Sequence, residues 1–412
     1  MEIIHQTCCG LDVHAKTVVA CLIQRGHKEI RTFSTMTTEL LQLLDWLVKA
    51  GCREVAIEST GVYWRPVFNI LEGSVEVMLV NARHVKAVPG RKTDVKDCEW
   101  LADLLRHGLL KPSFIPPVEI RELRELTRYR QSLVREQASV ANRVQKIAES
   151  GNIKLSQVAS DALGVSGRLM LRALAKGETD VEKMSEMAQR RLRHKKAELK
   201  QASEGRLTRA QRWVLGQLLD RYEELQGALA QVNEEIEREV ENCRDPFVAE
   251  AVKLLDGIPG VGETVAQVMV SEMGVDMSRF ASDKHLASWA GMCPGNNESA
   301  GKRKSGKTTK GSQYLRAALV QAAWAASRTK ETYLAAQYQR LVKRMGKHKA
   351  LVAVGHSILV MAYFVLLRKQ SYQELGGDYF DRQNVEAQKA RLIRKLESLG
   401  LKVTVEAVGV AA

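Results

Sequence analysis

The strongest constraint on this chain is the order of elements that its first hundred or so residues spell out. CCGLDVHA and TVVACLIQ read as two strands around a tight turn at His14 to Lys16, and HKEIRTFST as a third. TELLQLLDWLVKAG follows as an amphipathic helix, with Thr38 as its expected N-cap and Gly51 just past its end. REVAIEST and VEVMLV read as two further strands, with helical segments between and after them. Three antiparallel strands, then strands added in parallel through helices, is the order of an RNase H-like α/β domain. In that sheet the first and fourth strands are neighbours.

Two carboxylates stand out against this pattern. Asp12 ends the apolar run of the first strand, in GLDVH, and Glu58 ends that of the fourth, in VAIEST. A charged group at the end of a buried strand costs desolvation unless something compensates it. Carboxylates placed side by side repel, and divalent cations relieve that repulsion. Mg²⁺ prefers such oxygen ligands. Two ions about 3.5–4 Å apart stabilise both the attacking and the leaving oxygen of a phosphodiester transfer. Asp94 and Asp97, in GRKTDVKDCEW, are three apart and share a helix face. Alone they read as an N-cap and a first-turn acid favoured by the helix dipole. Beside Asp12 and Glu58 they also read as the second half of a metal site. Asp103 faces elsewhere on the same helix and reads as solvated.

The proline-bounded KPSFIPP, Lys111 to Pro117, marks a boundary. The expected division is 1–112 for the catalytic α/β domain, 113–246 for a helical coiled-coil linker, and 247–412 for a mostly helical C-terminal domain. Ile120 to Ile147 is basic, with Arg121, Arg124 and Arg128 among its arginines. Leu218, Tyr222, Leu225, Leu229, Val232 and Ile236 recur at four and three, the spacing of a coiled-coil seam, and the flanks of that helix are acidic. The basic helix is therefore the natural nucleic-acid face of the pair, against the alternative that the two helices simply pair. LLDGIPGVGETVAQVMVSEMG reads as a helix-hairpin-helix whose turn, with Gly260 and Gly262, exposes backbone N–H groups to a phosphate. A turn between packed helices is the alternative.

Downstream, PGNNESAGKRKSGKTTKGS is a glycine-rich loop with serines and cations. A serine hydroxyl needs a base or a metal to become a nucleophile. Ser299 and Ser305 are the two candidates, and the metal site of the first domain is the expected source of activation. Lys302, Arg303, Lys304, Lys307 and Lys310 would hold a nucleic-acid backbone. Arg83, His84, Lys86, Arg91 and Lys92 form a second basic lead-in, towards Asp94 and Asp97. A solvated charge run is the alternative there.

Composition agrees with a polyanionic partner. Lys and Arg number 62 against 48 Asp and Glu, a net charge of +14 and a pI near 9.4. Seven cysteines with no CxxC pair argue against a disulfide framework or a structural zinc, and fit reduced cytosolic thiols. No P-loop is present, so no nucleotide cofactor is expected. The opening residues do not read as a signal peptide. LVAVGHSILVMAYFVLL, the longest apolar run, reads as a buried core helix rather than a span, with His356 a satisfied core histidine.

GLDVHAK, AIESTGVYW, VNARHVKAVPGRKTDVKD and GMCPGNNESAGKRKSGKTTKGSQYLR together resemble the DEDD transposases of bacterial insertion sequences, the insertion-sequence-110 family, and are similar in wording to its 1111 branch. The resemblance runs along nearly the whole chain. It implies a RuvC-like N-terminal domain, a coiled-coil linker and a C-terminal transposase domain with a catalytic serine. Carried over, the metal-binding tetrad falls on Asp12, Glu58, Asp94 and Asp97, and the serine on Ser299. It also implies two Mg²⁺ or Mn²⁺ ions, double-stranded DNA as substrate, and a bridging non-coding RNA as guide. A homodimer or homotetramer in the bacterial cytoplasm, at the nucleoid and away from the membrane, follows too. The rivals are a junction-type endonuclease that uses water as nucleophile, and a non-catalytic nucleic-acid-binding scaffold.

Overall fold

The computed structural model describes residues 2–59, 61–81, 97–295, 297–383 and 385–404. The chain divides into two compact units, Met1–Ile115 and Pro116–Ala412.

In the first unit β1 (Thr7–Val13), β2 (Thr17–Gln24) and β3 (His27–Ser34) form an antiparallel meander. β4 (Glu54–Glu58) joins β1 in parallel, and β5 (Glu76–Val80) joins β4. The sheet order is β3-β2-β1-β4-β5, as expected for an RNase H-like domain. Arg25 and Gly26, both at positive φ, make the two-residue turn between β2 and β3, whose twist suits a hairpin. β3 is the exposed edge and is mostly polar, which discourages pairing with another chain.

Strand alternation divides the unit into two cores. On one face Cys9, Leu11, Val18, Leu22, Val55 and Ile57 pack against α1 (Thr37–Lys49) and α2 (Trp64–Leu71). Leu40, Leu43 and Leu47 are fully buried there, each burial being worth roughly 1.5–3 kcal/mol. On the other face Cys8, Cys21, Ile23, Ala56 and Val80 pack against α3 (Asp97–Arg106). Thr38 is not the N-cap of α1. That position is Met36 and carries no side-chain cap. The helix begins at Thr37, so Thr38 lies inside its first turn, and the Glu39 carboxylate ties that turn to the preceding strand by accepting from the Ser34 N–H at 2.6 Å.

Among the described residues the second unit is helical apart from one hairpin. α4 (Val118–Ser150) is followed by α5 (Leu155–Val158), α6 (Val165–Lys176), α7 (Val181–Glu186), a 3₁₀ turn (Arg190–Lys195) and α8 (Lys196–Ala202). α9 (Arg209–Glu241) then returns along α4. Each of these long helices has 33 residues, about 50 Å at 1.5 Å per residue. They run antiparallel: Asn233 accepts from Arg130, Arg221 meets Glu136, and Gln211 donates to Ser150. The small helices form a lobe on their shared end, over a core that includes Val144, Met170, Leu171, Met184, Leu199 and Leu215.

Beyond Pro246 come α10 (Phe247–Asp256), α11 (Glu263–Met273), α12 (Asp283–Trp289), the hairpin β6 (Asn297–Ser299) and β7 (Lys302–Ser305), α13 (Gln313–Ala326), α14 (Tyr333–Met345) and α15 (Lys347–Arg368). α11 is the centre of this part: Val265 to Met273 are all buried. α4 packs on α11, where Arg124 donates to the carbonyls of Ser271 and Glu272. α15 is long and apolar enough by length and composition to cross a membrane. Leu351, Val354, Ile358, Leu359, Ala362 and Leu366 are buried within the unit, which fits a core helix.

Candidate active site

In the first unit the site is built by parallel register and one glycine. Leu11 pairs with Ile57, the last pair before Asp12 and Glu58, so the two acids follow side by side at the strand ends. Adjacent strands lie about 4.8 Å apart. Both acids take the face of Gly10 and Ala56, which is the α3 face. Gly10 lets α3 approach: a Cβ there would lie 2.3 Å from the Cys98 carbonyl oxygen and 2.5 Å from the Ala102 nitrogen. At the other end of the helix, Ile4 N–H donates to the Arg106 carbonyl at 2.9 Å. α3 therefore runs antiparallel to β1 and brings its N-terminus, with Asp97, to the Asp12 end. The Asp12 charge reaches the Cys98 thiol, which burial above all pushes up to about 11. A helix N-terminus favours negative charge, whether carboxylate or phosphate.

Asp12 and Glu58 are half-buried, and His14 Nε2 stands 3.2 Å from Asp12 Oδ2. Among the described residues no three acidic, histidine or cysteine side chains close on one point as a formed metal site. Asp94, Arg83, His84, Lys86, Arg91 and Lys92 lie outside the described residues. The donors present, the carboxylates of Asp12 and Glu58 at the ends of inner strands and Asp97 on α3, are hard oxygen ligands that fit Mg²⁺ or Mn²⁺. Asp103 is taken up elsewhere, 3.1 Å from Lys28 Nζ.

In the second unit the serine segment is a hairpin rather than a loose glycine-rich loop. Its neck is a crossing of two glycines: a Cβ on Gly311 would stand 2.2 Å from the Ala290 carbonyl carbon, and one on Gly291 would stand 2.6 Å from the Gly311 nitrogen. Above the neck, Gly295 N–H donates to the Lys307 carbonyl, and Pro294 bridges Thr308. β6 and β7 continue the ladder to a two-residue turn of Ala300 and Gly301, both at positive φ. Ser299 is the last strand residue before the turn and pairs with Lys302. Ser305 pairs with Asn297, and its Oγ accepts from the Lys307 N–H at 3.1 Å. The two candidate serines thus occupy opposite strands of one ladder.

Below the hairpin lies an open groove of about 500 Å³, lined by Arg128, Lys307, Lys310, Gln313, Tyr314 and Arg316. The Arg128 guanidinium lies over the Tyr314 ring, 4.5 Å from its centroid. Buried Glu272 fixes the groove floor. Its carboxylate accepts from Arg128 at 2.7 and 3.0 Å and from Ser312 Oγ at 2.9 Å. Ser312 in turn caps α13. Arg124 donates to the carbonyls of Ser271 and Glu272, and Arg121 to that of Pro116. Arg130, buried, donates to Gln267 at 2.6 Å, and burial lowers its pKa. The arginines of α4 expected to face phosphate are thus engaged largely with α11. The sequence reading missed this use because their partners lie more than a hundred residues away. Gly260, at positive φ, is pressed on α13, where a Cβ would meet the Ala322 carbonyl at 2.4 Å. Gly262 opens to free space at the start of α11.

The strand order of the first unit fits an RNase H-like domain. A family model for the DEDD transposase of IS110, described as a transposase, matches residues 9–152, and one described as the transposase IS116/IS110/IS902 family matches residues 252–339. The chain belongs to this family of transposases. It is also similar to the pilin gene-inverting protein of Moraxella bovis, with 32% identity over 140 residues. That match covers 32% of this chain and 42% of the relative's length.

Proposed function

We propose that the chain is the recombinase of a bacterial insertion sequence, cutting and exchanging double-stranded DNA through a covalent serine intermediate. The observation that carries this reading is the acid-bearing edge, where Asp12 and Glu58 stand side by side under the N-terminus of α3. Asp12, Glu58, Asp94 and Asp97 would hold two Mg²⁺ or Mn²⁺ ions. When bound, such ions stabilise charge on the attacking and leaving oxygens of a phosphodiester.

Ser299 Oγ forms a bond to a DNA phosphorus as the bond from that phosphorus to a deoxyribose oxygen breaks. The serine hydroxyl loses its proton, and the departing oxygen gains one. Attack by a free DNA hydroxyl reverses the step on a new partner, so the bond energy is conserved and no nucleotide is consumed. Lys302, Arg303, Lys304, Lys307 and Lys310 hold the backbone beside the nucleophile. The α10–α11 turn acts as a helix-hairpin-helix, with Gly262 on its open side. The relative named for gene inversion supports a recombination chemistry. A guide RNA supplies sequence choice, the protein assembles as a dimer or tetramer through surfaces other than the Leu225, Val232 and Ile236 seam, which is buried within the chain, and it works in the cytoplasm at the nucleoid.

The test is trapping. Incubated with element-end DNA, its RNA and Mg²⁺, the protein is expected to form a DNA adduct that Ser299→Ala abolishes and Ser305→Ala retains. Asp12→Asn and Glu58→Gln should each slow adduct formation by about a hundredfold or more, since each removes several kcal/mol of charge stabilisation. Hydrolysed ends without any adduct would identify water as the nucleophile.

A further inference from the structure

The helical lobe between α4 and α9 has a surface that neither the acid edge nor the serine hairpin uses. The 3₁₀ turn Arg190–Lys195 carries Arg190, Arg191, Arg193, His194 and Lys195 at its exposed positions. Leu192 is its only apolar residue, and it packs on the lobe core. The turn is held at its start. The Gln189 N–H donates to buried Ser166 Oγ at 2.9 Å, and Arg190 takes a left-handed φ of +50°. A non-glycine residue is strained there, so packing imposes this conformation. The basic side chains are therefore splayed from a fixed piece of backbone.

Neighbouring cations are matched. Lys196 pairs with Glu186, Lys200 with Glu182, and Lys195 stands 3.8 Å from Glu198. Arg190, Arg191, Arg193 and His194 have no ion-pair partner among the described residues. The local sequence could have balanced them, since three acids within a few residues serve the lysines instead. Over 150–208 there are twelve Lys and Arg against seven Asp and Glu, so the three arginines supply more than half of the lobe's surplus. A solvated, solubilising face would mix its signs. This one concentrates forked guanidinium groups, which suit phosphate oxygens.

We infer that the Arg190–His194 turn is a docking site for the phosphate backbone of double-stranded DNA, made of residues other than those proposed to cut. It rests on the reading of the chain as a DNA recombinase. The contacts are to phosphate alone and add affinity without sequence choice. The turn spans about 10–12 Å at 2.0 Å per residue, enough to meet two or three successive phosphates of one strand.

The test is the salt dependence of binding, with the full-length protein and a random-sequence DNA duplex. Arg190→Ser/Arg191→Ser/Arg193→Ser is compared with wild type, and Arg191→Ser/Arg193→Ser serves as a second variant that leaves the strained position alone. The slope of log affinity against log salt should fall by about 2–3 in the triple variant and about 2 in the double, at unchanged thermal midpoint. Lys196→Ala/Lys200→Ala, which removes matched charges, should leave the slope within about half a unit of wild type. An unchanged slope in the arginine variants, or an equal fall in the lysine variant, overturns the site. So does a loss confined to an RNA hairpin probe with DNA binding intact. Wild-type protein that binds no DNA at all refutes the recombinase reading itself, which separates the two failures.

Discussion

The backbone of α3 lies directly on Gly10: a Cβ at that position would stand 2.3 Å from the carbonyl oxygen of Cys98. No rotamer relieves a clash between a Cβ and a main-chain carbonyl, so the helix would have to lift. Gly10→Ala should therefore destabilise the first unit by about 2–3 kcal/mol, read as a lower denaturant midpoint. Because α3 carries Asp97 to the Asp12 edge, strand cleavage should fall further than the loss of folded protein explains. A variant of wild-type stability would refute the close approach.

Glu272 ties three elements together, accepting from Arg128 of α4 and from Ser312 at the start of α13. Glu272→Ala should cost about 2–4 kcal/mol. That is below the range for a fully buried pair, because Arg128 keeps some contact with water. Ser312→Ala removes one hydrogen bond and a helix cap, and should cost about 1–2 kcal/mol. Chemical denaturation measures both. Equal losses in the two variants would mean that the guanidinium contacts contribute nothing.

Burial governs the thiols. It pushes Cys8 and Cys98 up to about 11 and Cys21 and Cys52 up to about 12, and Cys9 well above its ordinary value. Cys243 and Cys293 are only half-buried. At pH 8 a thiol reagent should modify these two in the native protein, and the other five only at the rate of unfolding. Fast labelling of Cys8 or Cys98 would show that α3 opens away from the sheet.

His356 in α15 is half-buried, and desolvation lowers its pKa against a weaker opposing pull from Asp283. The folded state binds this proton less readily than the unfolded chain. Its contribution is therefore intact above the unfolded pKa of about 6.5 and is lost as pH falls below it. The thermal midpoint should drop between pH 7.5 and 5.5, and His356→Gln should reduce that drop. An identical pH profile in the variant would assign the acid sensitivity to other groups.

The alternating apolar positions of the first eighty or so residues were legible because strand period and helix period differ. That pattern dictates which residues of β1 and β4 point at which core, and so which face Asp12 and Glu58 share. The close approach at Gly10 was not read from the sequence, because the helix that covers it comes about ninety residues later in the chain. Thr38 shows the limit of local rules, since the helix starts one residue before it and leaves the cap position to Met36, which has no capping side chain.

By itself, then, the sequence determined the element order, the two strand ends that carry acids, and the surplus of positive charge. All three are local or additive properties of the chain. Only the tertiary structure decided which cations remain available to a partner. Arg124 and Arg128 look like phosphate ligands in the sequence, but they are drawn to α11, Arg128 by the Glu272 carboxylate and Arg124 by the carbonyls of Ser271 and Glu272, about 145 residues away. Arg190, Arg191 and Arg193 sit among acids in the sequence, yet the fold gives those acids to lysines. Pairing depends on distance in space, falling with separation as Coulomb's law requires, and chain position does not encode that distance.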